Sequence, residues 1–213
     1  YTTIVGGGGN ACVLHYIENN QTLQDGDLVL IDAGAEYACY ASDITRTFPV
    51  NGKFTEEQKL VYQVVLDSQY AAIDAAQPGN NWNDPHEAAV NVISQGLIDL
   101  GILEGPLETV IEEEAYRAFF MHKTGHWLGM DVHDVGDYKI DDEWRVLEQG
   151  MVLTIESGIY ISPDPSVDKK WWNIGVRIED DVLIKRKGNE VITGSLIKEV
   201  DDIEALMAKS KAA

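Results

Sequence analysis

The spacing of apolar residues switches from two to about 3.6 and back again, and this order limits the possible architectures more than any other feature of the chain. Residues 1–50 read as extended. Leu28-Val29-Leu30-Ile31 is a short apolar run closed by Asp32-Ala33-Gly34. Tyr37 to Phe48 is rich in aromatic and β-branched residues and breaks at Pro49 and Asn51-Gly52, which predicts two strands in a hairpin. Thr55 with Gln58 then forms a capping box ahead of Leu60, Val61, Val64 and Val65 at helical spacing, and Pro78-Gly79 ends that helix. Asp84 as N-cap, Pro85 and Glu87 start a second helix, whose apolar face runs through Ala89, Val92, Ile93 and Leu97 to a stop at Gly101. A shorter helix is predicted over 108–118. Strands return as Met151 to Ile161 and Ile174 to Ile184, with a short one over 190–194, and Asp201 with Glu204 caps a last helix over 201–209. Such segregation favours an α+β fold over alternating α/β.

Composition narrows the function. The 213 residues suit one large domain or two small ones. A net charge of −20, from 16 Lys and Arg against 36 Asp and Glu, argues against a nucleic-acid partner, which needs clustered cations to neutralise phosphates. The acidic excess reads as a solvated face, or as carboxylates converging on bound cations; composition alone leaves both open. No charge-free apolar run approaches the ~20 residues that cross a bilayer, so no membrane partner is expected. Two cysteines, Cys12 and Cys39, are too few for a disulfide framework, and a cytoplasmic setting is the default. A first residue of Tyr1 rather than Met reads as a piece of a longer protein.

Four acids lie within or at the end of apolar strand segments: Asp32, Asp43, Glu156 and Glu179. One alone would be a strand-end acid facing water. Four, at matching positions in an early and a late strand pair, suggest carboxylates drawn inward, where acids persist only when paired or coordinated. Three of the five histidines, His122, His126 and His133, fall within twelve residues, and on a strand His122 and His126 would share a face. His86, near the start of a capped helix, reads as a satisfied histidine. Carboxylates with imidazole and no thiolate suit Mn²⁺, Co²⁺, Mg²⁺ or Zn²⁺. Four acids match the charge of two divalent ions better than that of one. The Gly6 to Gly9 run is no phosphate loop, since no Lys-Ser/Thr and no helix follow it.

In chain order, Gly7-Gly8-Gly9-Asn10-Ala11, Leu14-His15-Tyr16, Asp32-Ala33-Gly34 and Ser42 to Pro49 are followed by Thr124 to Asp134, Thr154-Ile155-Glu156 and Gly175 to Asp181. This ordered set resembles the catalytic region of aminopeptidase P (Xaa-Pro aminopeptidase), of the pita-bread metallopeptidase group. The resemblance implies a pita-bread fold: two pseudo-symmetric halves, a curved antiparallel sheet and outer helices, with the first helices missing. It implies that residues 1–213 are a catalytic domain, N-terminally incomplete and without the family's N-terminal domain. Asp32, Asp43, His126, Glu156 and Glu179 match the family's five ligands of a dinuclear centre, typically manganese, and Glu156 matches the proton acceptor for the nucleophilic water. His15 and His133 match histidines that steady the scissile carbonyl and the tetrahedral intermediate. His122, Tyr160 and Arg177 match the lining of the proline pocket.

The implied activity is hydrolysis of the N-terminal Xaa-Pro bond by a hydroxide bridging two ions, with peptides carrying proline second as substrates and a homo-oligomer in the full-length protein. Prolidase, acting on Xaa-Pro dipeptides, is the alternative, followed by a metal-free pita-bread scaffold that binds peptides. One departure is Ser157, where the family commonly has proline. Because the family's first helices cover half the sheet, residues 1–213 alone are expected to hold the whole metal shell yet to be poorly active or unstable. Turnover and thermal melting of that fragment test this, and full turnover with a cooperative monomeric melt would contradict it.

Overall fold

The computed structural model describes residues 1–211, and side chains through Lys209. Strands β1 (Ile4–Gly7), β2 (Leu28–Asp32) and β3 (Thr45–Pro49) form an antiparallel sheet in that order. The anticipated hairpin therefore gains a third strand, with Ile4 and Thr45 both opposite Asp32 in register. The predicted strand from Tyr37 is cut back to Thr45, because Ala38 and Cys39 take φ of 50° and 63° and fold the chain into a turn closed between Tyr37 and Tyr40. Two consecutive left-handed residues cannot belong to an extended run.

Helix α1 (Glu56–Ala75) starts at the expected capping box, with Thr55 and Gln58 each accepting from the other's backbone N–H. Its buried face carries Val61, Tyr62, Val65 and Leu66, while Leu60 faces out. Helix α2 (Asp84–Asp99) begins one residue earlier than predicted: Asn83 is the N-cap position, and Asp84 instead accepts from the N–H of Asn81. Helix α3 stops at Glu112 (Leu107–Glu112), where a left-handed Glu114 interrupts it and a short 3-10 turn over 115–118 replaces the rest.

Two short strands, β4 (Lys139–Ile140) and β5 (Glu143–Trp144), form a separate hairpin. Strands β6 (Val152–Ile161) and β7 (Ile174–Ile184) pair along their full length, and β8 (Asn189–Val191) extends their sheet. Helix α4 (Val200–Lys211) starts before Asp201, which lies in its first turn and is not its cap. No described helix is long and apolar enough to cross a membrane.

Helices α1 and α2 lie over the β6–β7 side, and their apolar faces join Ile155, Ile159, Val176, Ile178 and Val182 in the main core. The β1–β3 sheet meets β7 through side chains: the Thr47 hydroxyl donates to the Arg177 carbonyl and accepts from its N–H. Two antiparallel halves thus face one another in an α+β arrangement, one bringing Asp32 and Asp43 from the end of β2 and the loop before β3, the other Glu156 and Glu179 from mid-strand. Thr55→Ala should lower stability by about 1 kcal/mol, the usual cost of losing an N-cap, read as a shift in the urea midpoint.

Candidate metal centre

The loop between β2 and β3 folds back so tightly that a Cβ on Gly34 would come within 1.7 Å of the Ser42 carbonyl oxygen. That approach, with the Ala33 N–H donating to the Ile44 carbonyl, sets Asp32 and Asp43 side by side. On the other half, Glu156 of β6 and Glu179 of β7 are direct cross-strand partners. Asp32, Asp43 and Glu179 are buried, and the Glu156 side chain keeps 19 % exposure.

His126 reaches the same place from an irregular segment, not from the strand that would have put it on one face with His122. Residues 124–128 run beside β6, held by the Glu156 N–H to the Thr124 carbonyl and the Thr154 N–H to the His126 carbonyl. A Cβ on Gly125 would strike the Thr154 carbonyl at 2.0 Å, so glycine permits the approach. His126 Nδ1 lies 3.0 Å from the Trp127 carbonyl, which makes it the donor nitrogen and leaves Nε2 facing Asp43 at 3.4 Å and Glu156 at 3.8 Å. A backbone partner of this kind fixes the ring and tautomer of a ligating histidine.

Donor atoms of Asp43, His126 and Glu179 all lie within 4.8 Å of one another. Asp32 and Glu156 flank this trio in a cavity of about 210 Å³ that is also lined by His15, His122, His133 and Arg177. Tyr160 stands behind it, its hydroxyl 2.9 Å from His122 Nε2 and 3.1 Å from Arg177. The predicted site residues thus all line this cavity except Tyr160, which reaches it through His122 and Arg177. His15 and His133 are exposed at the mouth, and the His133 ring meets His126 edge-on at 4.3 Å between centroids.

Arg177 is more committed than a pocket wall requires. Its guanidinium donates to Asp32 at 2.6 Å, to Tyr160 and to the Thr45 hydroxyl. Thr45 in turn donates to Glu179 at 2.5 Å. Sequence reasoning passed over Thr45, although its spacing of two from Asp43 places both on one face. It also passed over Tyr1, whose hydroxyl lies 2.8 Å from Asp32 and 2.6 Å from Asp43, and for which no pattern gave notice. His86 is satisfied as expected, against the Thr124 hydroxyl, and burial holds it down at about 4.

Electrostatics mark the cluster as short of positive charge. Burial, relieved only partly by His126 and Arg177, lifts Glu156 from the ordinary 4.5 to about 7. Burial and the neighbouring charges of Glu156, Asp43 and Asp32 push Glu179 well above its usual range. Burial also raises Asp32, against the pull of Arg177. Asp43 alone of the four is lowered: its burial is outweighed by hydrogen bonds, one of them from Tyr1, and by the neighbouring His126. Oxygen-rich donors that cannot all ionise together are what a hard divalent cation would compensate. The residues therefore fit such ions, and Asp43, His126 and Glu179 form the tightest donor set.

The model for metallopeptidase family M24 matches residues 1–186. The chain belongs to that family. Among curated relatives, Xaa-Pro aminopeptidase of Haemophilus influenzae is 55 % identical over 97 % of this chain and 48 % of its own length. The enzyme of that name from Escherichia coli is 51 % identical over 99 % of this chain and 48 % of its own. Pseudomonas aeruginosa aminopeptidase PepP superposes with a TM-score of 0.99 at 59 % identity, covering 100 % of this chain and 48 % of that one. Escherichia coli aminopeptidase P with the inhibitor Pro-Leu gives 0.97 at 51 % identity with the same coverage. The chain spans about half the length of these relatives, and the pita-bread fold is common to all of it.

The raised glutamates predict a pH dependence for the metal-free M24 domain. Folded Glu156 holds its proton up to about 7, whereas unfolded it releases the proton near 4.5, so this stabilisation is complete below 4.5 and is lost as pH rises through 7. The melting temperature of metal-free protein should fall from pH 5 to pH 8, and saturating Mn²⁺ should remove the fall. A melting temperature that rises with pH in the absence of metal would contradict this.

Proposed function

We propose that this chain is the catalytic domain of a metal-dependent aminopeptidase that hydrolyses the bond between an N-terminal residue and a following proline. The observation that carries the reading is the facing pair Glu156 and Glu179 beside Asp43 and His126, in a chain more than half identical to Xaa-Pro aminopeptidases. Asp32, Asp43, His126, Glu156 and Glu179 would hold two divalent ions. Manganese suits the hard donors. When bound, such a pair supplies an activated water at neutral pH and polarises the scissile carbonyl.

The chain's own groups do the rest. Glu156 stands at the cavity with its side chain partly exposed, so its carboxylate is placed to accept the proton of the nucleophile and pass it to the departing amine. His15 and His133, at the mouth, are placed to donate to a carbonyl oxygen as charge develops on it. His122 and Tyr160, bonded to each other, and the aliphatic stem of Arg177 offer a wall for a ring that carries no N–H. A bond before proline lacks that donor, so recognition by shape together with a polarised carbonyl is the workable route. Carboxylates beside the metal pair would attract the substrate's free amine and confine cleavage to the first residue. A cytoplasmic setting and self-association of the full-length protein go with this reading.

In the full-length protein, chelation should abolish release of the first residue from an Xaa-Pro-Xaa tripeptide, and Mn²⁺ should restore it. Glu156→Gln should lower kcat at least about a hundredfold, as loss of a general base does. Turnover that survives complete metal removal would refute the reading. Cleavage of Xaa-Pro dipeptides alone would turn it to prolidase, and metal-free peptide binding without turnover to a scaffold.

A further inference from the structure

Helix α1 carries two neighbouring polar residues, Ser68 and Gln69, that are fully buried and have no part in the chemistry above. Gln69 crosses to β6 and grips it on both sides of Glu156. Its Oε1 accepts the Ser157 N–H at 3.1 Å, and its Nε2 donates to the Ile155 carbonyl at 2.7 Å. The same Nε2 lies 3.2 Å from Oδ2 of Asp180, the residue after Glu179. The Ser68 hydroxyl adds a bond of 2.9 Å to the Ser157 hydroxyl.

We propose that Gln69 is a positioning residue: its amide clamps the backbone flanking Glu156 and couples it, through Asp180, to the backbone of Glu179. A glutamine in a packed helix–sheet interface costs desolvation that an aliphatic side chain would not, and its bonds go to the two residues bracketing one candidate ligand. Ser157 is the other half of the device. A proline there would bring no N–H, and the acceptor on residue 69 would have nothing to take. Glu156 and Glu179 oppose each other as like charges across two strands, so their backbones need an external hold. The clamp supplies it from the far side of the sheet, without touching substrate. The inference rests on the reading of Glu156 and Glu179 as metal ligands.

The test is a double-variant cycle in the full-length protein, read by Mn²⁺ affinity in calorimetry and by kcat and KM on a tripeptide. Gln69→Leu should weaken Mn²⁺ binding and lower kcat by about ten- to a hundredfold, the usual range for partners of metal ligands, with KM moved less than about twofold. Adding Ser157→Pro should recover most of both losses, because the proline ring removes the unpaired N–H and itself fixes φ beside Glu156 in place of the clamp. If Gln69→Leu fails to fold, Gln69→Met decides: close to glutamine in length and volume, it also lacks both the acceptor for Ser157 and the donor to Ile155, and the same weakening is expected. Unchanged Mn²⁺ affinity and kcat, with only a lower melting temperature, would overturn the positioning role. So would a double variant no better than Gln69→Leu. An unaltered protein that takes up no Mn²⁺ would remove the site reading itself, and the inference with it.

Discussion

Four carboxylates converging from two sheets repel one another, and the rest of the structure is arranged around that repulsion. Three of the four have close partners: Arg177 and Tyr1 for Asp32, Tyr1 and His126 for Asp43, Thr45 for Glu179. Glu156 faces only His122 at 3.7 Å and His126 at 3.8 Å. These partners lower the cost of gathering the acids but do not cancel it, as the raised proton affinities of Glu156 and Glu179 indicate. One guanidinium and one imidazole cannot balance four carboxylates. The remaining deficit is the driving force for taking up cations, so metal affinity and folded-state stability are two readings of one electrostatic imbalance.

Strand β7 shows how an acidic run survives inside a core. Glu179, Asp180 and Asp181 are consecutive and buried, and the strand's period of two sends them to alternate faces. Glu179 meets the metal cavity. Asp180 points the other way and is fully compensated: Arg46 and Lys198 each lie 2.7 Å from one of its oxygens, and the Thr193 hydroxyl donates to it. Asp181 returns to the first face and accepts from the Asp43 N–H, while burial raises it to about 7. A buried ion pair adds little net stability but is costly to break, so the Asp180 network fixes the register of β7 more than it strengthens the fold. Register matters here because a slip of one residue would exchange Glu179 for Asp180 at the centre.

How much of this could be read from the chain depended on whether a residue's task left a periodic trace. Asp32, Asp43, Glu156 and Glu179 were legible because each interrupts an apolar strand, and α1 was legible because a capping box precedes a 3.6-residue repeat. The turn at Ala38-Cys39 left no trace, since neither residue type advertises a left-handed conformation. Even spacing would put His122 and His126 on one face of a strand, yet the segment that carries them is irregular even where it bonds to β6, and its histidines reach the cavity by loop geometry. Tyr1 and Gln69 were silent for another reason. Each acts only through tertiary contacts with distant residues, which the folded chain alone brings together.

The two halves of the molecule contribute unequally to the centre. The β1–β3 half offers aspartates at strand ends, where a tight glycine turn sets them side by side. The β6–β7 half offers glutamates from mid-strand, directly opposed in register and backed by the helical layer. Longer side chains project from the better supported half, and shorter ones from the half whose loop can approach closely. The cavity therefore has one wall on paired strands, which carries Glu156 and Glu179, and one defined by loops, which carries His15. That division follows from where the helices pack: under the proposed reading, the carboxylate most sensitive to position stands on the strand pair backed by α1 and α2.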